Sequence, residues 1–205
     1  MKGKQQAQVQ HTSKKKEESL SFSIEVRDKK GRVLRRISAP SRSYVEQWNQ
    51  AVNIKASAAT KSVRDTDGVE RASIENSAQI FGANAVIGET RIGIRVGKGA
   101  TAVVIDNYAL ETPCDEGTDT DEFNHQAVTF TEPLVVGSTC SFTVKRIMVN
   151  NSGATISGIR EIGCYFWLRV TGSYFFLGFR DILPSAVYVP NGGSITVIYT
   201  IAVTV

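Results

Sequence analysis

The sequence predicts an all-β chain: an antiparallel β-sandwich, jelly-roll or immunoglobulin-like, with an N-terminal arm, a hairpin and one short helix. Three observations carry this. Residues 141–205 are almost wholly β-branched or aromatic runs separated by tight-turn signals, among them SFTVKRIMV at 141–149 and SITVIYTIAVTV at 194–205. Such residues fit a pleated, half-buried surface. The breaks between runs, Asn150-Asn151-Ser152-Gly153 and Asn191-Gly192-Gly193, offer the positive φ that turns need. From residue 86 onward some seven or eight short strands follow one another with no helix between them, which points to an antiparallel sandwich or barrel.

In chain order, residues 1–18 read as a basic flexible arm. Residues 19–55 read as a hairpin and a short helix. In LSFSIEVR, at 20–27, Leu20, Phe22, Ile24 and Val26 share one face. Asp28-Lys29-Lys30-Gly31 is a turn, and residues 32–38 return. Beyond Pro40, Ser43 stands as an N-cap with Glu46 at the reciprocal position. Tyr44, Val45, Trp48, Ala51 and Val52 then fall at helical spacing over 43–54. Trp48 reads as a core residue, with an exposed contact as the alternative.

Residues 56–85 are small and polar and read as an extended loop with a turn at Thr66-Asp67-Gly68; loops of this length are functional, interfacial or disordered. Residues 86–205 read as the sandwich domain. Its strands are expected at 91–96, 101–105, 127–130, 134–136 and 141–149 and through the C-terminal runs. A turn or short helical piece is expected at 106–110 and an acidic loop at 112–124.

Composition is ordinary for a globular chain: 205 residues, 41% hydrophobic and 21% charged. No run approaches the length of a membrane-spanning helix, and the first 18 residues lack the apolar stretch of a secretory signal. Cys114, Cys140 and Cys164 are odd in number and irregularly spaced, so neither a disulfide framework nor a zinc site is indicated. Asn150-Asn151-Ser152 matches a glycosylation sequon but reads as a turn.

Charge is uneven along the chain. Residues 1–42 hold seven Lys and five Arg against four acids, a net +8, which leaves −4 for residues 43–205. The arm's Lys2, Lys4, Lys14, Lys15 and Lys16 could neutralise phosphates or dock on an acidic neighbouring subunit. The plain alternative is a solvated tail. No aromatics interleave with these lysines, so a stacking platform for single-stranded nucleic acid is not indicated.

Candidate chemistry is thin. Gly97-Lys98-Gly99-Ala100-Thr101-Ala102 matches G-x-G-x-x-A, but a strand rather than a helix is expected to follow it, so no dinucleotide site is indicated. Residues 115–122, DEGTDTDE, hold five acids without the EF-hand spacing; a solvated loop or a subunit contact is the reading, not a calcium site. His11 lies in the arm, and His125 reads as a surface histidine with no sign of a Cys114 partnership. Cys164 reads as a small buried hydrophobe. No serine elbow, H-E-x-x-H or P-loop appears, so no catalytic, metal or cofactor residue is assigned and no enzyme is expected.

The C-terminal motifs carry a resemblance. Residues 141–156 (SFTVKRIMVNNSGATI), 158–165 (GIREIGCY), 179–184 (FRDILP) and 187–201 (VYVPNGGSITVIYTI) together resemble a family of tailed-bacteriophage virion structural proteins. The Asp106-x-Tyr108-x-Leu110 piece and the early Asp28–Gly31 and Ser43-Tyr44 region are similar to the same family. The likeness covers about two-thirds of the chain and is strongest after residue 140. It implies a head–tail connection, tail or capsid-surface component, made in the bacterial cytoplasm, which assembles with copies of itself and other virion proteins and binds no membrane. It implies no catalytic residues. A receptor- or carbohydrate-binding module at a tail tip is the alternative. That function would call for clustered exposed aromatics, whereas Tyr165, Phe166 and Trp167 fall in an expected core strand.

Overall fold

The computed structural model describes residues 17–41, 43–57, 61–74, 82–170 and 172–205. The expected arm, with its five lysines, lies almost wholly outside them. The described residues form an antiparallel β-sandwich. Its first strands, β1 (Glu17–Arg27) and β2 (Val33–Ser41), are the hairpin that the alternation announces. Leu20, Phe22, Ile24 and Val26 are buried, and the serines between them are partly exposed. The turn closes because Asp28 Oδ1 accepts the N–H groups of Lys30 and Arg32, both at 2.9 Å, while Gly31 takes φ 79°.

This hairpin is built into the sandwich. The other edge of β1 pairs along its whole length with β12 (Ser194–Thr204), from Glu17↔Thr204 to Arg27↔Ser194. β12 pairs in turn with β9 (Thr139–Val149). Because β12 fills one edge of β9 completely, three short strands share the other. These are β6 (Asn124–His125), β7 (Thr129–Phe130) and β8 (Leu134–Val136), laid end to end as one interrupted strand.

The second sheet is β11 (Gly172–Val189), β10 (Ile156–Val170) and β5 (Gly93–Gly97), in that order. Between the sheets lie Ile24, Val197, Tyr199, Ile94, Val96, Ile162, Cys164, Phe166 and Phe179, in one contiguous core. Each large apolar side chain so buried contributes roughly 1.5–3 kcal/mol. Aromatic edges pack here: Phe179 against Tyr199 at 4.5 Å between ring centres, and Trp48 against Phe166 at 5.4 Å. The back of the second sheet is covered too. Val45, Leu110, Tyr165 and Leu177 form a smaller cluster there, so β10 is buried on both faces from Glu161 to Phe166. An N–H from Leu110 to the Tyr165 hydroxyl, at 2.8 Å, ties down that cover.

Several elements depart from the expectation. The helix, α1 (Glu46–Ser57), starts three residues later, because Ser43 does not cap it: its hydroxyl donates to Asp181 at 2.6 Å. Trp48 and Ala51 do face the core. The polar stretch 56–85 contains a small hairpin, β3 (Lys61–Arg64) and β4 (Glu70–Ile74), closed at Gly68 with φ 78°. Residues 101–105 are not a strand. Their leading N–H groups, on Ala100 and Thr101, are taken by the Glu111 carboxylate, and Val104 donates to Asn107 Oδ1. With the Thr101 and Val104 N–H groups taken by side chains, the segment pairs with no strand among the described residues. No helix among the described residues is long and apolar enough to cross a membrane.

Candidate functional site

The buried charges come first, because chemistry would begin there. Glu161 and Arg180 are fully enclosed on adjacent strands, joined at 2.9 Å. Glu161 also accepts the N–H groups of Gly99 (3.1 Å), Glu111 (3.0 Å) and Thr112 (2.7 Å), which fixes the covering loop to β10. Arg180 reaches on to Asn107 and Glu111. Next to it, Asp181 accepts the hydroxyls of Ser43, Ser41 and Tyr199; burial still holds its carboxyl above the usual range. The resembling motif Phe179–Pro184 therefore carries two charges that pin loops and strands together. Each is saturated by the protein itself, as buried charges must be.

Arg146 was not singled out from sequence. It is wholly buried on β9, and among the described residues it has no carboxylate partner. Its guanidinium donates to backbone carbonyls alone: Gln126 (2.7 Å), Glu89 (2.6 Å), Ile94 (3.1 Å), Ile92 and Val86 (3.4 Å each). Burial lowers its pKa to about 10. The signal that could have found it is parity. Phe142, Val144, Arg146 and Met148 share the inward face, and an arginine in such a row needs partners that only loops can supply.

His125 corrects the surface assignment: it is 0% exposed. Its Nδ1–H points at Glu116 Oε2 (2.9 Å) and the Phe123 carbonyl (3.0 Å). Burial, followed by the nearby Arg146 charge, lowers its pKa to about 4, against the opposing pull of Glu116. The acidic stretch is a loop whose residues are exposed or half-buried, as expected, and it is tied down at several points. Arg95 pairs with Asp115 (2.7 Å) and Lys98 with Asp121 (2.5 Å), and Glu122 accepts the Asp119 N–H. Among the described residues no three His, Cys, Asp or Glu side chains converge as a metal site requires. Burial pushes the Cys114 thiol up to about 11 and raises the Cys164 thiol further, which keeps both protonated and poor nucleophiles.

The outstanding surface feature is at one end of the larger sheet. Partners directly opposite in a ladder share a face, so the inward residues form rows. Val26, Ile195, Met148 and His125 are one row, all buried. Phe22, Tyr199, Val144 and Phe130 are another; the first three are buried and Phe130 is 46% exposed. Leu20, Ile201 and Phe142 follow. The last row is Glu18, Val203, Cys140 and Val135, with Val203 at 51% and Val135 at 67% exposed. From Val203 across Cys140 to Val135 the inward face thus continues, still apolar, beyond what the described residues cover, with Glu18 at its β1 end.

An apolar groove of about 340 Å³, lined by Trp48, Ala83, Phe130, Phe142, Phe166 and Ile201, opens at this end. A second hollow of about 460 Å³ lies on the outward face and mixes Ile147 and Ile198 with Ser23, Glu25, Arg36 and Lys145. Of the aromatics a glycan platform would need at the surface, Tyr165 and Phe166 are buried and Trp167 is half-buried. No family model, no curated protein and no solved structure matches the chain.

Proposed function

We propose that this chain is a structural component of a tailed-phage virion, a head–tail connection, tail or capsid-surface protein that works through oligomeric assembly and catalyses no reaction. The observation that carries the assembly part is the uncovered end of the larger sheet, where Phe130, Val135, Cys140 and Val203 continue a core face into solvent. Contiguous exposed apolar surface on a folded domain marks an interaction site. The virion part rests on the resemblance of residues 141–201. The saturated buried charges support a scaffold, because they are spent on holding loops and strands.

The decisive experiment is mass and stoichiometry on purified protein and on particles that contain it. A defined oligomer, and a fixed copy number in the particle, are expected. A monomer at all accessible concentrations, absent from particles, would refute the reading. Deleting residues 1–16 leaves β1 complete, since that strand begins at Glu17. If Lys2, Lys4, Lys14, Lys15 and Lys16 dock on acidic surface of a neighbour, the truncated protein should fold normally yet assemble more weakly. Its deficit should shrink as salt rises. Equal assembly at low salt would make the arm a solvated tail.

A further inference from the structure

The uncovered end has an edge as well as a face. β8 and β9 are joined by the two-residue loop Gly137-Ser138, with Gly137 at φ 61°. In such a hairpin the pair flanking the loop, Val136 and Thr139, is the hydrogen-bonded one. The alternation of an antiparallel ladder then turns the N–H and C=O of Val135 away from β9, to the sheet's outer edge. Among the described residues nothing pairs with that edge. Leu134, Val135 and Val136 are each more than 60% exposed, so among the described residues nothing covers the strand on either face or along its edge.

Protection is also missing. Sheet edges are ordinarily blunted by charges or proline. β2, at the opposite edge of the sheet, has Arg35, Arg36 and Pro40. The stretch 133–144 contains no charged residue, and neither does 194–205 beside it. Within 133–144 only Pro133 interrupts pairing, by lacking an N–H, and it does so at the strand's beginning, where it limits the register.

We propose that β8 pairs edge to edge with β8 of a second copy of this chain, antiparallel, about a two-fold axis through Val135. This rests on the assembly reading and names its partner. In that register Val135 exchanges both backbone hydrogen bonds with its own counterpart. Leu134 of one copy stands opposite Val136 of the other on the outward face. Both rows are apolar and uncharged, so the strand is complementary to itself, as a two-fold contact demands. On the inward face the apolar parts of the two last rows, Val203, Cys140 and Val135, become continuous through Val135, with Glu18 at each far end. The exposed apolar side chains at this end present on the order of 500 Å² per copy, the size of the largest apolar patch on a typical monomer, which is often functional. A partner of different sequence would have to supply the same edge geometry; a second copy already has it.

The test uses the full chain. With Cys140→Ser in place, Val135→Cys puts two cysteines at a hydrogen-bonded antiparallel pair, whose Cα atoms are about 5.5 Å apart, within disulfide reach. Mild oxidation should convert most of the protein to a covalent dimer. The control Thr101→Cys, at an exposed loop residue far along the chain, should give little. In parallel, Val135→Lys places like charges directly opposite and should weaken self-association at least tenfold with an unchanged circular dichroism spectrum. If the chain self-associates but Val135→Cys crosslinks no better than the control, the contact lies elsewhere: this proposal falls and the assembly reading stands. If sedimentation finds only monomer, both fall.

Discussion

Lowering the pH should destabilise this protein through a single buried imidazole. His125 has its pKa lowered from 6.5 to about 4, first by burial and then by Arg146 and Arg95, with Glu116 opposing. In the unfolded chain it titrates near its ordinary value. Between these two values the unfolded state binds a proton that the folded state refuses, so stability falls as pH falls. At about 1.4 kcal/mol per unit, the full effect is about 3 kcal/mol. Between pH 7 and pH 5 about 2 kcal/mol should already be lost, because the unfolded imidazole is then largely charged and the folded one is not. Glu116, whose own pKa is lowered, gives up its contribution only at more acidic pH.

The assay is urea unfolding at pH 7, 6 and 5, on the natural protein and on His125→Gln. The variant removes the titration while other groups titrate equally in both. The natural protein should show the larger loss on acidification. Equal slopes over pH 7–5 would refute the reasoning and mean that the imidazole gains a solvent path or a proton acceptor when charged.

Glu161→Ala should cost at least about 4 kcal/mol by urea unfolding, because it strands the Arg180 guanidinium and three backbone N–H groups in the interior; a loss under about 1 kcal/mol would sink the proposed role in anchoring the loop. Tyr199→Phe should cost about 1.5 kcal/mol and leave the fold intact, since Asp181 keeps the hydroxyls of Ser41 and Ser43. Gly178→Ala should cost about 1–3 kcal/mol in the same measurement, because an added Cβ would land on the ring of Phe166.

Regular alternation made the first hairpin legible: four apolar residues at spacing two, then Asp28 and Gly31 in turn positions. The same rule failed at residues 101–105, where aliphatic residues are spent on an exposed loop. Nothing local reveals that Glu111 and Glu161 will take the N–H groups a ladder would use. His125 was misplaced for the same reason. Its environment is made by Glu116 and by Arg146, nine and twenty-one positions away, and only the folded ladder brings Arg146 beneath it. The uncovered end was half legible. The uncharged runs at 133–144 and 194–205 are plain in the sequence, but they look like core strands. That they extend past the cover depends on where the second sheet stops, which is a property of packing and not of any one segment.

The pairing of β1 with β12 has a kinetic consequence. Leu20 meets Ile201, and Ile24 meets Val197, partners more than 170 positions apart. The apolar face that this ladder gives to the core depends on a contact that closes most of the chain into one loop. On a ribosome, β1 and β2 can form a hairpin early, yet that hairpin's apolar face stays bare until the last residues of β12 have emerged. Topologies dominated by such distant contacts fold slowly, on the order of milliseconds to seconds. During that interval the unfinished sheet exposes the same kind of unpaired strand edge that aggregates. Refolding yield should therefore fall steeply with protein concentration, and removal of residues 194–205 should leave an insoluble chain instead of a smaller sandwich.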